Sequence, residues 1–515
     1  MQEKKLFGLS SVTLLIIICA AAKFAVHMLT AQNYGYFCDE LYTIAMSKHL
    51  AFGYVDLPPL APALCALSRL MFGESLLGVH IFPALAGSAM LVFVCLITKE
   101  LGGKRFSIGI SALGFIIAPV WLSMDSFFAY DSIDQLVLTI FLYMLVKLIK
   151  TGNKKLWLPI GLIAGIAFMT KATIVFLGPG FVAALIILKY RKHLLTRWPW
   201  IGMGIFLLVI SPYIIWQHLN NWPTIEYWTA YGSSRVFNAT LPEYLLNIVI
   251  LLNPALFPII AAGLYRIFKP FDNKNYSFLG IMFLITLIVM FVLKAKTYML
   301  AELFIPLIAA GSIFIEEKVL SSSRLKWLKN AAVTTLLIGG AFAAPLALPL
   351  LPPDLLIAYT NVFGIINKSV KLDNLPKTNL PQTTADRFGW DNLVKTVAEV
   401  YEGLSPEEKK DCGILTDWFG PAGAIDLLGQ QYGLPHAVSG HLTYYLWGPG
   451  ENSWDVMIVV TNNYNIVSSF FGEATLKAIV KSDYAMPYNT NLPVYICRKP
   501  TMPVDKIWEY LKGYN

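Results

Sequence analysis

The chain is 515 residues long, 56% hydrophobic and only 14% charged, with a mean hydropathy of +0.58. That composition excludes an ordinary soluble globular protein and indicates a polytopic α-helical membrane protein. The net charge of +8 is distributed as membrane topology requires, so it calls for no nucleic-acid partner.

Apolar stretches long enough to cross about 30 Å of hydrocarbon fall at 9–31, 78–98, 105–123, 132–150, 156–170, 173–189, 198–216, 244–265, 277–294, 299–316 and 328–347. They predict about eleven transmembrane helices, fewer by two if the short fifth and sixth form one re-entrant hairpin around Lys171. The first is full length and lacks a small-residue cleavage site, so no cleavable signal peptide is expected. Lys and Arg gather in alternate connections: Lys4 and Lys5; Lys99, Lys104 and Arg105; Lys150, Lys154 and Lys155; Lys189, Arg191, Lys192 and Arg197; Arg266, Lys269 and Lys274; Arg324, Lys326 and Lys329. The opposite connections are sparse. This bias predicts a cytoplasmic N-terminus, and an odd span count puts the C-terminal part outside.

The character changes at Pro345, Pro349, Pro352 and Pro353. Residues 1–350 are expected to form the membrane part and 351–515 an extracytoplasmic α/β domain, with helices over 390–404 and 422–431 and strands over 412–415, 456–461 and 493–497. Aromatic and Gly-rich turns lie at Asp386-Arg387-Phe388-Gly389-Trp390 and Tyr444-Tyr445-Leu446-Trp447-Gly448-Pro449-Gly450. Six cysteines show no Cys-x-x-Cys spacing. Cys412 and Cys497 both fall in the tail, where a disulfide is chemically allowed.

The strongest candidate site follows the first span, where Asp39 and Glu40 sit side by side in the first outer loop, 32–77. Charge near hydrocarbon is costly unless paired, hydrated or used; the bland reading is a solvated loop or a helix N-cap. Lys48, His49, Tyr54 and Asp56 follow, then the rigid Pro58-Pro59 turn. The second outer connection holds Asp125, Asp131 and Asp134 with no cation among them, implying water, a metal ion or a partner such as Lys48 or His49. Asp131 and Asp134 also suit a helix start. Cations stand on the outer side where topology does not demand them: Lys171, Arg235, Lys294 and Lys296, the last beside Tyr298. Interfacial snorkelling is the plain alternative for Lys171 and Lys294.

A base with phosphate-binding cations suits a lipid-phosphate-linked sugar donor. In an inverting transfer a carboxylate takes the acceptor hydroxyl's proton as the oxygen attacks the anomeric carbon, and Lys or Arg stabilises the leaving phosphate. Asp39 is the expected base with Glu40 next in line; Lys296, Lys294, Arg235 and Lys171 are the phosphate ligands. Lys48, His49, Tyr54, Asp56, Asp125, Asp131 and Tyr298 are supporting residues. Retention through a second carboxylate such as Asp131 stays open. Asp125, Asp131, His49 and Asp56 are residue types that bind divalent cations, but spacing alone does not bring them together; no metal is assigned and no cofactor is required.

The Asp39-Glu40 pair after the first span, the Gly53-Tyr54-x-Asp56-x-Pro58-Pro59 turn and Lys294-x-Lys296-x-Tyr298 resemble the dolichyl-phosphate-mannose protein mannosyltransferase superfamily, glycosyltransferase family 39. Its bacterial relatives include the lipid A aminoarabinose transferases. The resemblance implies a GT-C fold, a polyprenyl-phosphate sugar donor, a lipid, glycan or protein acceptor, Asp39 as base and transfer on the outer face of a bacterial inner (plasma) membrane. Two departures stand: the extra lumenal domain of the eukaryotic enzymes is missing, and Leu57 precedes Pro58 where the aminoarabinose transferases usually carry Lys. A transporter or flippase of polyprenyl-linked sugars is the alternative, predicting inverted repeats and mid-span charges; a non-catalytic envelope subunit is a third and predicts a dispensable Asp39.

Overall fold

The computed structural model describes residues 10–234, 238–270, 274–364 and 378–514. The apolar stretches fold as helices, because backbone polar groups in hydrocarbon must be satisfied within the segment. In chain order these are α1 (Ser11–Thr30), α2 (Cys38–Lys48), α3 (Leu60–Phe72), α4 (Leu76–Glu100), α5 (Arg105–Ile117), α6 (Pro119–Met124), α7 (Tyr130–Thr151), α8 (Trp157–Thr170) and α9 (Ile174–Ile187). There follow α10 (Arg197–Leu219), α11 (Pro223–Ser234), α12 (Leu241–Leu252), α13 (Phe257–Ile267), α14 (Ser277–Val292), α15 (Ile305–Ser321), α16 (Trp327–Ala347) and α17 (Pro353–Val362).

The expected count of about eleven spans is not matched by helix length. Among the described residues six helical stretches are long and apolar enough to cross alone, and α12 with α13, bent by 94° around Asn253, would make a seventh. At about 1.5 Å per residue, the 14 residues each of α8 and α9 fall short of the hydrocarbon thickness. They do not form a hairpin on each other: α8 packs along α10, and α9 along α14. Glycines permit these crossings. A Cβ on Gly161 of α8 would lie 2.0 Å from the Gly202 carbonyl oxygen of α10, and one on Gly263 of α13 would lie 1.9 Å from that of Leu307 in α15. Small residues at such points let helix backbones touch.

Beyond α17 the chain builds α18 (Trp390–Glu402), α19 (Phe419–Leu428) and a five-stranded sheet. Its strands are β1 (Gly413–Thr416), β2 (Ala437–Ser439), β3 (Val456–Val460), β4 (Phe471–Val480) and β5 (Leu492–Pro500), in the order β2-β1-β3-β5-β4. β1 pairs in parallel with β2 and β3, whereas β5 runs antiparallel to β3 and β4. The disulfide considered for Cys412 and Cys497 does not form; both thiols are free. Cys412 directly precedes β1 and Cys497 lies in β5, with β3 between them, so two inter-strand spacings of about 4.8 Å exceed the reach of a disulfide.

Helix α19 packs against α2. A Cβ on Gly423 would meet backbone and side-chain atoms of Leu41 at 3.0 Å, so the absence of a side chain sets how closely the sheet-bearing part approaches the helix that carries Asp39.

Candidate active site

Asp39 and Glu40 occupy the first turn of α2, where negative charge favours the helix dipole. Glu40 is fully buried. Its Oε1 accepts from the Phe128 N–H at 2.8 Å and stands 2.9 Å from His80 Nε2, while Oε2 accepts from the Phe37 N–H at 3.3 Å. Burial pushes this carboxyl up, but the charge and hydrogen bond of His80 and the bond from Phe128 outweigh it and hold it below its ordinary value. Both oxygens thus have partners within the fold, an arrangement that anchors α2 and leaves Asp39 the better placed of the two carboxylates expected to be catalytic.

Asp39 is only half-buried, and its side-chain partner is Cys38 Sγ at 3.5 Å. Burial raises its carboxyl; the Lys296 charge opposes this, Asp131 adds to it, and Cys38 and Lys171 oppose it. The residues that act on Asp39 electrostatically therefore include both Lys296 and the Lys171–Asp131 pair.

Lys171 and Lys296 line a cavity of about 470 Å³ together with Asp56, Tyr130, Tyr213, Tyr227, Trp228, Tyr231, Lys294 and Tyr298 and neighbouring apolar residues, whereas Asp39 and Asp131 stand behind its lining. Its walls come from the turn before α3, the start of α7, the α8–α9 connection, α11 and the segment after α14. Lys171 Nζ lies 2.8 Å from Asp131 Oδ1 and over the rings of Tyr130 and Tyr298, at 4.5 and 5.1 Å from their centroids. Two rings and a carboxylate thus hold the ammonium at the cavity wall. Lys296 lies 5.8 Å from the Tyr231 centroid. Lys294 is at the rim with a left-handed φ of +53°, an uncommon geometry for a side-chain-bearing residue.

Of the sequence-predicted residues, Asp56, Lys171, Lys294, Lys296 and Tyr298 share this cavity, and Asp131 binds one of its lysines. Others stand elsewhere. Asp125 is sealed in the helical bundle, 2.7 Å from Lys23 Nζ of α1, far too enclosed to serve a substrate. Lys48 faces Glu74 at 3.5 Å, His49 stacks on Trp447 with ring centroids 4.4 Å apart, and the buried Tyr54 hydroxyl donates toward the Met46 and His49 carbonyls, each at 3.2 Å. These three support the fold of the first loop. Arg235 lies outside the described residues. No group of three or more His, Cys, Asp or Glu side chains able to hold a metal is found among the described residues.

Sequence reasoning assigns no site role to Tyr42, Thr443 or Arg387, and notes the aromatics of 222–237 only as the loop around Arg235. Arg387 donates to Ser126 Oγ at 2.7 Å from a buried position, and its charge helps hold Glu40 ionised. The aromatic run from Tyr227 to Tyr231 at helical spacing was the available signal for the α11 wall.

Residues 56–216 match the dolichyl-phosphate-mannose-protein mannosyltransferase family. Over nearly its whole length the chain also has the fold of ArnT from Cupriavidus metallidurans. The chain resembles the family-39 glycosyltransferases and has a GT-C fold. For ArnT in the apo state the TM-score is 0.63 at 11% identity, covering 95% of this chain and 98% of that one; for ArnT bound to undecaprenyl phosphate it is 0.61 at 11% identity, covering 94% and 98%. A lipid A galacturonosyltransferase, RgtD, from Rhizobium johnstonii is 25% identical over 225 residues, 42% of this chain. That match spans 47% of the relative's length, so about half of it.

Proposed function

We propose that the protein is an integral-membrane glycosyltransferase that moves a sugar from a polyprenyl-phosphate donor to a lipid, glycan or protein acceptor. The observation that carries this reading is a cavity in which three lysines and the Asp56 carboxylate meet, with Asp39 under the influence of two of those lysines. Asp39 takes the proton of the acceptor hydroxyl as its oxygen bonds to the anomeric carbon. The bond from that carbon to the phosphate oxygen breaks, and its electron pair leaves with the lipid phosphate, which Lys171, Lys294 and Lys296 stabilise. A single displacement of this kind inverts the anomeric centre. The likeness to a fold that has been captured with undecaprenyl phosphate supports a polyprenyl carrier, and the lysine bias of the connections supports chemistry on the outer face of a bacterial inner membrane, with residues 351–515 on that side.

The test incubates purified, detergent-solubilised protein with a panel of radiolabelled polyprenyl-phosphate sugars and envelope extracts, comparing wild type with Asp39→Asn. Turnover in wild type alone is the expected outcome. Full transfer by the variant would remove Asp39 as base, and donor binding without turnover by either protein would favour carriage of the lipid over transfer.

A further inference from the structure

A buried hydrogen-bonded link runs from the C-terminal part of the chain to the cavity. Tyr42 follows Asp39 by three residues on α2, and so shares its side of the helix. Its hydroxyl donates to Asp56 Oδ1 at 2.8 Å, accepts from the Thr443 N–H at 3.1 Å and stands 2.6 Å from Thr443 Oγ1. Thr443 Oγ1 also accepts from the Val55 N–H at 3.2 Å. One threonine therefore holds both the tyrosine that binds Asp56 and the backbone just before Asp56. The Tyr42 ring is stacked on Phe419, centroids 4.5 Å apart, which fixes where the hydroxyl points.

Tyr42 and Thr443 are each 2% exposed, and of the three only Asp56 lines the cavity. The lining cations Lys171, Lys294 and Lys296 belong to other segments. A phosphate is drawn to those lysines and repelled by a carboxylate, so a phosphate-linked sugar bound here has its polyhydroxyl end left for Asp56. A carboxylate offers about four lone-pair sites, so beyond the bond from Tyr42 Asp56 keeps capacity to accept from a sugar hydroxyl.

We propose that Asp56 is a specificity-determining acceptor for a hydroxyl of the donor sugar, and that Tyr42, held by Thr443, is its positioning residue. This rests on the polyprenyl-phosphate-sugar reading of the cavity. The site is then incomplete without Thr443, a residue of the C-terminal part. Burial raises the Asp56 carboxyl to about 7, and the Tyr42 hydrogen bond pulls against that rise; removing the hydroxyl moves the titration further up.

The experiment measures binding of undecaprenyl phosphate and of a panel of undecaprenyl-phosphate sugars to the full-length, detergent-solubilised protein between pH 5.5 and 9, for wild type, Tyr42→Phe, Thr443→Val and Asp56→Asn. Tyr42→Phe and Asp56→Asn are each expected to lower the affinity for the sugar-bearing lipid, relative to that for undecaprenyl phosphate, by about 10-fold or more, as for a hydrogen bond to a charged group. Tyr42→Phe also moves the midpoint of the pH dependence upward, which a merely structural tyrosine would not do. If Tyr42→Phe fails to fold, Thr443→Val gives the same comparison with Tyr42 intact. Unchanged sugar-lipid affinity, or equal losses for both lipids, overturns the proposal. Wild type that binds neither lipid removes the donor reading, and this proposal with it.

Discussion

Glu40 Oε1 stands 2.9 Å from His80 Nε2, closing a buried contact between α2 and α4 beside Asp39, a carboxylate with different surroundings. Adjacent helical residues point about 100° apart, so Glu40 turns into the bundle while Asp39 comes under the influence of the cavity lysines. Removing the Glu40 carboxylate leaves the Phe128 and Phe37 N–H groups and His80 buried without their acceptor. Glu40→Ala is expected to lower stability by about 3–5 kcal/mol, read as a large drop in the thermal midpoint of the detergent-solubilised protein. Asp39→Asn should leave that midpoint nearly unchanged and abolish transfer. A stable, active Glu40→Ala protein would refute the division of labour.

The cavity lysines separate in a similar way. Lys296→Ala should weaken binding of undecaprenyl phosphate by about 10-fold, the worth of one charge-assisted contact. Lys171→Ala should weaken it comparably and also leave Asp131, now paired at 2.8 Å, without its cation. Methionine at position 171 keeps the packing against Tyr130 and Tyr298 but not the charge, so a binding loss equal to that of alanine would assign the effect to charge. Equal affinity across wild type and both variants would mean that the phosphate sits elsewhere.

Asp56 gives a stability signature with a definite sign. Burial raises its folded-state carboxyl from 3.8 to about 7, so between those values the folded protein holds a proton that the unfolded chain has released. Stability must then fall as pH rises through that window. Thermal unfolding of wild type and Asp56→Asn from pH 4 to 8 should show wild type losing ground to the variant up to about pH 7 and a constant difference above it. Parallel curves throughout would show that Asp56 is not shifted.

Gly423 tests the contact between the two parts of the chain. Leu41 atoms lie 3.0 Å from where its Cβ would be, so Gly423→Val must push α19 away from α2. An overpacking cost of about 1–3 kcal/mol is expected, with a loss of transfer activity because α2 carries both Asp39 and Tyr42. Normal activity in a measurably destabilised variant would show that the contact serves stability alone.

The apolar helices are legible in the sequence because hydropathy is a local property, although among the described residues fewer than the roughly eleven expected are long enough to cross alone, and Asp39, Asp56 and Lys296 stand out because charge beside hydrocarbon is rare. Strand β4 is not legible: it is an edge strand exposed on both faces over most of its length, so no alternation of apolar and polar residues marks it. Helix α18 and strands β1, β3 and β5 carry ordinary patterns and fall close to their expected places. What sequence order conceals is partnership. Glu40 reads as a twin of Asp39 until His80 and the Phe128 N–H are brought to it, and Asp125 resembles an outer-loop ligand until Lys23 reaches it. Tyr42 and Thr443 are 401 residues apart, and neither carries a local sign of the contact.

Lys23 and Asp125 also bear on how the protein is made. The lysine lies near the middle of the first apolar helix and is fully buried, with its ammonium 2.7 Å from a carboxylate that follows α6. During synthesis α1 emerges long before Asp125 exists. An unpaired ammonium near the bilayer centre costs about 2.5–3.5 kcal/mol at insertion, so the nascent first helix is a reluctant guest in lipid until α4 to α6 arrive. Correct assembly of the amino-terminal half is therefore a post-insertion event, and a chain truncated before Asp125 should be a preferred substrate for membrane quality-control proteases.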